Sequence, residues 1–392
     1  MVVENTATLG RRIHIHKGFA VRTEVSRNFG LDVVRAIAIS GVLVAHFTDF
    51  TAIPMGTRAP IFIGLMGSGV ELFFALSGFL IGGLLMDIAK PSLRAWTIFM
   101  VRRWMRTVPL YLVWLATLLI VWPPQRDLME HAIKFLTFSQ NLLWRMPPDY
   151  WFAVSWSLAV EEWFYLLFAG ALIGLSTMMG RKAIALATGA FIFIPLALRA
   201  ALAEPDLLAS WDETLRKIVI FRLDAIAYGV AVAALVRFWP NAMRRLSLPL
   251  LFAGIMTVVA ATFTARPLYV IALYPAGLAL CLPAATLLPR PCRIIAEPIR
   301  WLSTRSYALY IVHYSLLEFS LAAVTRGLDE PVVYSPGRRL GRGRPVRTFV
   351  SILGNADPAG EAALARPLAV SLTRGPGPVR LWVIFSLVRR PQ

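Results

Sequence analysis

The sequence predicts an all-α protein, a polytopic bundle of about nine to ten membrane-spanning helices. Three observations predict it. The chain has 392 residues and is 57% hydrophobic, above the roughly half apolar content of a soluble domain. Its apolar residues fall in runs of roughly 20, enough to cross ~30 Å of hydrocarbon as a helix; a membrane β-barrel shows short alternating segments instead. Its basic residues sit between those runs and favour alternate connections, as the positive-inside bias requires.

Residues 1–30 are polar and basic, with Arg11, Arg12, Lys17, Arg22 and Arg27. They lack the apolar stretch of a cleaved signal peptide and read as a cytoplasmic tail. His14 and His16 resemble a metal pair, but two histidines in a terminal tail are more simply tail residues. Spans follow at roughly 32–50, 61–86, 107–122, 153–175, 183–202, 218–236, 247–264, 267–288 and 301–323. Loop charges orient them with the N-terminus inside. Inside connections carry Lys90, Arg94, Arg102, Arg103 and Arg106, then Arg181 and Lys182, then Arg237, Arg244 and Arg245, then Arg290, Arg293 and Arg300. Outside connections hold Asp127, Glu130, Asp149, Glu204, Asp206, Asp212 and Glu213, beside a few bases such as Lys134 and Arg145. The transmembrane domain covers 31–324.

Residues 325–392 break the pattern. Arg326, Arg338, Arg339, Arg342, Arg344 and Arg347 fall where an outside segment is expected, among many Gly and Pro, and no lysine follows Lys217. Such a stretch builds neither core nor span, and Leu381–Val388 is too short to cross. It reads as a disordered basic tail, or as the product of a reading-frame change that replaced a tenth span. The frame change also explains the topology conflict, so it is preferred.

A net charge of +18 would suggest nucleic acid in a soluble protein. Here the bases lie between apolar runs and suit anionic lipid heads, and no stacking module or zinc spacing supports nucleic-acid binding. Cys281 and Cys292 make no disulfide framework.

The informative residues are charged groups inside apolar runs, where a charge at mid-bilayer costs from about 3 to above 10 kcal/mol. Arg35 and His46 are eleven residues apart in the first span, about three turns, so they share a face roughly 16 Å apart along the axis. Asp32, one turn before Arg35, can pair with it. Arg35 is either an anchor for an anionic cosubstrate or a snorkelling arginine. His46 is either a base or a packing histidine. Glu71 sits among small residues that allow close helix contact; it either faces a polar cavity or belongs to that packing, which explains most of the segment. Arg103 and Arg106 share a face and suit phosphate clamping, or simple positive-inside anchoring. Glu161 and Glu162, eight residues into a span from outside, reach roughly the depth of His46. One of them is expected to orient a histidine or take a proton. Arg222 and Asp224 form another polar insertion. His313, about twelve residues up an outward-going span, returns to the level of His46 and is either catalytic or a packing histidine.

In order, Asp32-x-x-Arg35…His46, Phe73-Phe74-x-Leu76-Ser77-Gly78-Phe79, Arg103-x-x-Arg106-x-x-Pro109, Ser155-Trp156-Ser157-Leu158-x-x-Glu161-Glu162-x-x-Tyr165, Arg222-x-Asp224 and Ser306-Tyr307-x-x-Tyr310-x-x-His313 resemble the acyltransferase-3 membrane acyltransferases. That family includes O-antigen and exopolysaccharide O-acetyltransferases. Each motif is weak alone; six in order over about residues 30–320 are specific. The resemblance implies a multi-pass enzyme of the bacterial inner membrane. It implies transfer of an acetyl or similar group from cytosolic acyl-CoA to a carbohydrate hydroxyl at the outer face, as in lipopolysaccharide or exopolysaccharide O-acetylation. Arg35 with His46, and Arg103 with Arg106, are the positions matching its functional signatures. The chain departs from the family pattern in lacking the usual last span. It also lacks the Gly-Asp-Ser segment of the hydrolase-like domain some relatives append.

The expected partners are therefore acyl-CoA, a carbohydrate acceptor and the bilayer, with no metal and no nucleic acid. The expected donor-binding residues are Arg35, Arg103 and Arg106. The expected catalytic residues are His46, Glu161, Glu162 and His313. The rival class is a transporter, since intramembrane Arg, Glu and His also mark proton relays, although no inverted repeat is evident. An inactive remnant is a third reading.

Overall fold

The structure, a computed structural model, describes residues 27–51, 59–88, 92–124, 127–143, 145–146, 151–180, 182–202, 205–264, 266–325, 370–372 and 379–381. His14 and His16 lie outside the described residues, as does nearly all of the 325–392 tail. Within that tail only a short antiparallel pair is described, β1 (Val370–Leu372) and β2 (Val379–Leu381).

The rest is helical. The expected first span is α1 (Phe29–Thr51). The second is split into α2 (Ala59–Gly67) and α3 (Gly69–Met86). The break falls at Ser68, whose hydroxyl donates to the Leu65 carbonyl. Then come α4 (Leu93–Val121), a short amphipathic α5 (Leu128–Leu136), α6 (Ser155–Met179) and α7 (Lys182–Ala201). A short α8 (Pro205–Ala209), a π-helical turn at Asp212–Arg216 and a 3-10 turn at Val219–Phe221 lead into α9 (Leu223–Phe238). The chain closes with α10 (Pro240–Arg245), α11 (Ser247–Thr264), α12 (Pro267–Leu280), α13 (Leu282–Thr286) and α14 (Arg293–Thr325). Seven segments among the described residues are long and apolar enough to cross a membrane. The remaining two expected spans correspond to α9, 16 residues long, and α14, 33 residues long. The protein is a multi-pass helical membrane protein.

One boundary differs in a way that matters. The span expected from 107 begins at Leu93, where the Ser92 hydroxyl caps the helix by accepting from the Ala95 N–H. Arg102, Arg103 and Arg106 are thus about two and a half to three and a half turns inside α4 rather than in a connection. Their charges imitate a loop in the sequence although all three line a cavity beside the helix.

Between helices in lipid there is little hydrophobic drive, so small residues and interhelical hydrogen bonds set the packing. The tightest pair is α3 with α9. A Cβ added at Gly78 would strike the Ile226 carbonyl, and one at Gly229 would strike the Ala75 carbonyl, so both positions require glycine for backbone-to-backbone approach. The main core is aromatic and aliphatic, with Phe74, Phe164, Phe168, Ile39 and Val42 fully buried. By contrast α4 leans on α6 and α14 and leaves most of its surface outside the bundle.

Candidate active site

Two helices carry the first part of the site. Arg27 donates to both Asp32 oxygens, at 2.7 and 2.8 Å, and to the Thr304 hydroxyl at 3.0 Å. The Ser303 hydroxyl donates to Asp32 at 2.7 Å. This clamp fixes α1 against α14 at one end. Arg35 is only 3.5 Å from Asp32, as the spacing suggested, but Arg27, read from sequence as a tail residue, is the stronger partner.

With the register set there, His46 and His313 meet further along the same two helices. His46 Nδ1 lies 2.8 Å from His313 Nε2, and the rings stack with centroids 5.0 Å apart. His313 Nδ1 is 2.8 Å from the Tyr310 carbonyl and 3.2 Å from that of Leu309. Carbonyls only accept, so His313 Nδ1 carries the proton and its Nε2 is an acceptor. His46 Nδ1 must then donate, which leaves the His46 Nε2 lone pair free. His313 is buried and His46 half-buried. Tyr314 meets the His46 ring edge-on at 5.2 Å.

A cavity of about 1240 Å³ lies alongside, bounded by α1, α3, α4, α6 and α14. Arg35, Arg94, Arg102, Arg103 and Arg106 line it, against only Asp87 and Glu161 of opposite charge. Lining residues on α4 run from Arg94 to Leu110, sixteen residues or roughly 24 Å of helix. Arg103 donates to Glu161 at 2.8 Å, and its guanidinium lies 3.6 Å over the Tyr165 ring. Glu161 also accepts from the Ser77 and Tyr165 hydroxyls, at 3.0 and 3.1 Å. Arg94, Arg102 and Arg106 make no ion pair among the described residues and are exposed. Leu80, Leu84 and Ile98 line the cavity and are exposed, because α3 and α4 scarcely pack on each other.

The site residues expected from sequence therefore fall into two groups. Arg35, Arg103, Arg106 and Glu161 share the cavity. His46 and His313 pair with each other beyond its wall. Glu161 and Glu162, expected at the level of His46, are joined to α4 instead. Glu162 accepts from the Trp104 indole N–H at 3.0 Å. The reason is the early start of α4, which places Arg103 beside α6, where the half-buried Glu161 carboxylate gains a charge-assisted bond from the guanidinium.

A second polar network was legible only in part. Asp224 is buried and bound by Arg199 through two bonds of 2.6 and 3.0 Å. Arg222 is fully buried and bonds Glu71. Arg216 joins Glu71 at 3.1 Å to Asp212 at 2.8 Å, and Lys217 reaches Asp212 at 2.7 Å. Desolvation opposes ionisation of Asp212, but Lys217 and Arg216 outweigh it and hold the carboxyl well below the usual carboxylate range. Arg199 escaped the sequence reading because it sits near the end of an apolar run, where an arginine looks like an interfacial anchor. Among the described residues no cluster of three or more His, Cys, Asp or Glu is arranged to hold a metal ion.

The acyltransferase-3 family model, described as an acyltransferase domain, matches residues 28–336. A Bacillus subtilis protein provisionally named peptidoglycan O-acetyltransferase YrhL is 28% identical over 336 residues, covering 74% of this chain and 49% of its own. Staphylococcus aureus proteins of strains MSSA476 and MRSA252, provisionally named O-acetyltransferases, are 30% identical over 177 residues, 41% of this chain and 27% of theirs. The chain thus spans about half the length of the Bacillus relative and about a quarter of the Staphylococcus ones. No solved structure gives a significant match.

Proposed function

Because the chain belongs to the acyltransferase-3 family of membrane acyltransferases, we propose that it moves an acetyl or similar acyl group from acyl-CoA to a carbohydrate hydroxyl on the opposite side of the bilayer. The observation that carries this reading is the arginine-lined cavity leading to a wall one helical turn from a histidine pair. Five arginines against two acids make a site for a polyanion, and guanidinium forks suit phosphates. The length of the cavity suits a donor with charged phosphates at one end and a reactive group at the other.

In this reading Arg35, Arg103 and Arg106 hold the phosphates, joined by Arg94 and Arg102. Glu161 keeps Arg103 in place. The acceptor hydroxyl attacks the thioester carbonyl while His46 Nε2 takes its proton. The C–S bond breaks, and the proton passes from His46 to the departing thiolate. His313 acts through His46 as a positioning residue that fixes its tautomer. The chain would lie in a bacterial inner membrane, N-terminus inside, with the arginine cavity facing the cytosolic donor. The acceptor would be a cell-envelope sugar, whether in peptidoglycan, as the name of the Bacillus relative suggests, or in lipopolysaccharide or exopolysaccharide.

The test is direct. Purified protein in proteoliposomes is given acetyl-CoA on one side and an oligosaccharide on the other. Release of free CoA together with acetylated sugar supports the reading; sugar movement or proton flux without thioester consumption overturns it in favour of transport.

A further inference from the structure

Two hydroxyls close the end of the cavity nearest the histidines. Ser157 Oγ and Tyr310 Oη are 2.6 Å apart, both side chains are buried, and both line the cavity. The Val154 carbonyl lies within reach of both, 3.2 Å from Ser157 and 3.4 Å from Tyr310, so one hydroxyl donates to its partner and the other to Val154. Neither hydroxyl is committed to a charged group, and an O–H bond rotates readily toward a better acceptor. Ser303 and Tyr310 both line the cavity on α14, seven residues or roughly 10 Å apart, so these hydroxyls sit well up the shaft from the α1–α14 clamp. The histidine pair is immediately beyond. His313 follows Tyr310 by three residues, bonds its carbonyl, and has its ring centroid 5.8 Å from that of Tyr310.

Taking the acyl-CoA reading as given, we propose that the Tyr310 and Ser157 hydroxyls are the hydrogen-bond donors that receive the thioester carbonyl of the donor and the oxyanion it becomes. A thioester arriving along the shaft offers its carbonyl oxygen to both O–H groups, which leave each other and Val154 to bind it. When the acceptor hydroxyl attacks, the carbon–oxygen bond forms and the carbonyl electron pair moves onto oxygen. The two O–H donors hold that charge without giving up their protons. The pair then returns as the C–S bond breaks, and the thiolate takes the proton held by His46. Fixed donors in a dry site act most strongly on charge that develops in the transition state. Tyr310 and Ser157 are thus catalytic residues, distinct from the phosphate-binding arginines and from the base.

The experiment compares Tyr310→Phe, Ser157→Ala and Ser157→Thr with the parent full-length protein in proteoliposomes. It reads kcat and KM for CoA release from acetyl-CoA, and the Kd of CoA itself. Tyr310→Phe keeps the ring and loses only the donor, so kcat is expected to fall about 10²-fold, with a much smaller rise in KM and the CoA Kd unchanged. Ser157→Ala is expected to lose kcat in the same way, and Ser157→Thr, which restores a hydroxyl, to recover most of it. Variants that bind CoA normally and keep the parental kcat overturn the proposal, as does a loss confined to KM. So does faster hydrolysis of acetyl-CoA without acceptor, which would make the pair a barrier to water instead. If Tyr310→Phe fails to fold, equal activity in Ser157→Ala and Ser157→Thr overturns it. A parent protein that neither binds CoA nor consumes acetyl-CoA brings down the acyl-transfer reading itself, an outcome separate from the others.

Discussion

His46 and His313, 267 positions apart in the chain, share one hydrogen bond of 2.8 Å between Nδ1 and Nε2. The carbonyl of Tyr310 on the far side of His313 sets which nitrogen of each ring carries hydrogen. One imidazole thereby fixes the free lone pair of the other.

His46→Ala is expected to lower acyl transfer at least about 10²-fold, the usual scale for a general base, with membrane insertion and CoA affinity intact. His313→Ala is expected to lower it less, because the base survives but loses its tautomer partner. His313→Gln should recover part of that loss, since the amide oxygen can still accept from His46 Nδ1. The kcat of the four proteins, measured across pH, checks this; equal activity in His313→Ala and the parent would remove the positioning role.

Arg106 and Arg103 should fail differently. Arg106 has no ion pair among the described residues, so Arg106→Ala is expected to weaken CoA binding roughly 10-fold, the scale of one charge-assisted bond, and to leave thermal stability alone. Arg103→Ala also strands Glu161 in the cavity wall, so both affinity and melting temperature should drop. Calorimetric titration with CoA and thermal unfolding in detergent separate the two.

The pair Arg199–Asp224 is almost wholly buried. Asp224→Leu or Arg199→Met alone leaves an unmatched charge and is expected to destabilise by about 3–5 kcal/mol. The double variant Arg199→Met with Asp224→Leu should be markedly more stable than the sum of the single losses predicts. Unfolding midpoints of all four proteins complete the cycle.

Asp212 supplies a pH dependence. Its carboxyl is held below the usual range by Lys217 and Arg216. A depressed folded value contributes stability above the unfolded value of about 3.9, and that contribution is lost as pH falls through the folded value. The stability gap between the parent and Asp212→Asn is therefore expected to be constant from neutral pH down to mild acid and to shrink only under strong acid. A gap that closes near neutrality would contradict the pairing.

Much of the site is legible in the sequence because charge in an apolar run is conspicuous. Arg35, His46, Glu161 and His313 stand out for that reason alone, and α1 places Arg35 and His46 on one face by arithmetic. Partnership is less legible. Glu161 meets Arg103 across 58 positions, and no periodicity within either segment says so. The start of α4 was obscured because Arg102, Arg103 and Arg106 carry the charge pattern of a connection while bordering a cavity. Arg27 looked like part of a tail because its partners, Asp32 and Thr304, come together only when α1 and α14 dock.

The glycine contacts between α3 and α9 weld those two helices backbone to backbone, and Arg222 rivets Glu71 of α3 to the turn that opens α9. On the other side of the cavity α4 has no such seam. Among the described residues, side-chain bonds alone, Arg103 and Trp104 to α6 and the Thr107 carbonyl to Tyr307 of α14, hold the flank that bears Arg94, Arg102, Arg103 and Arg106. One wall of the chamber is thus a backbone weld and the other a set of side-chain ties, so substitutions at Glu161 or Tyr307 are expected to loosen the arginine-bearing wall while leaving the α3–α9 wall intact.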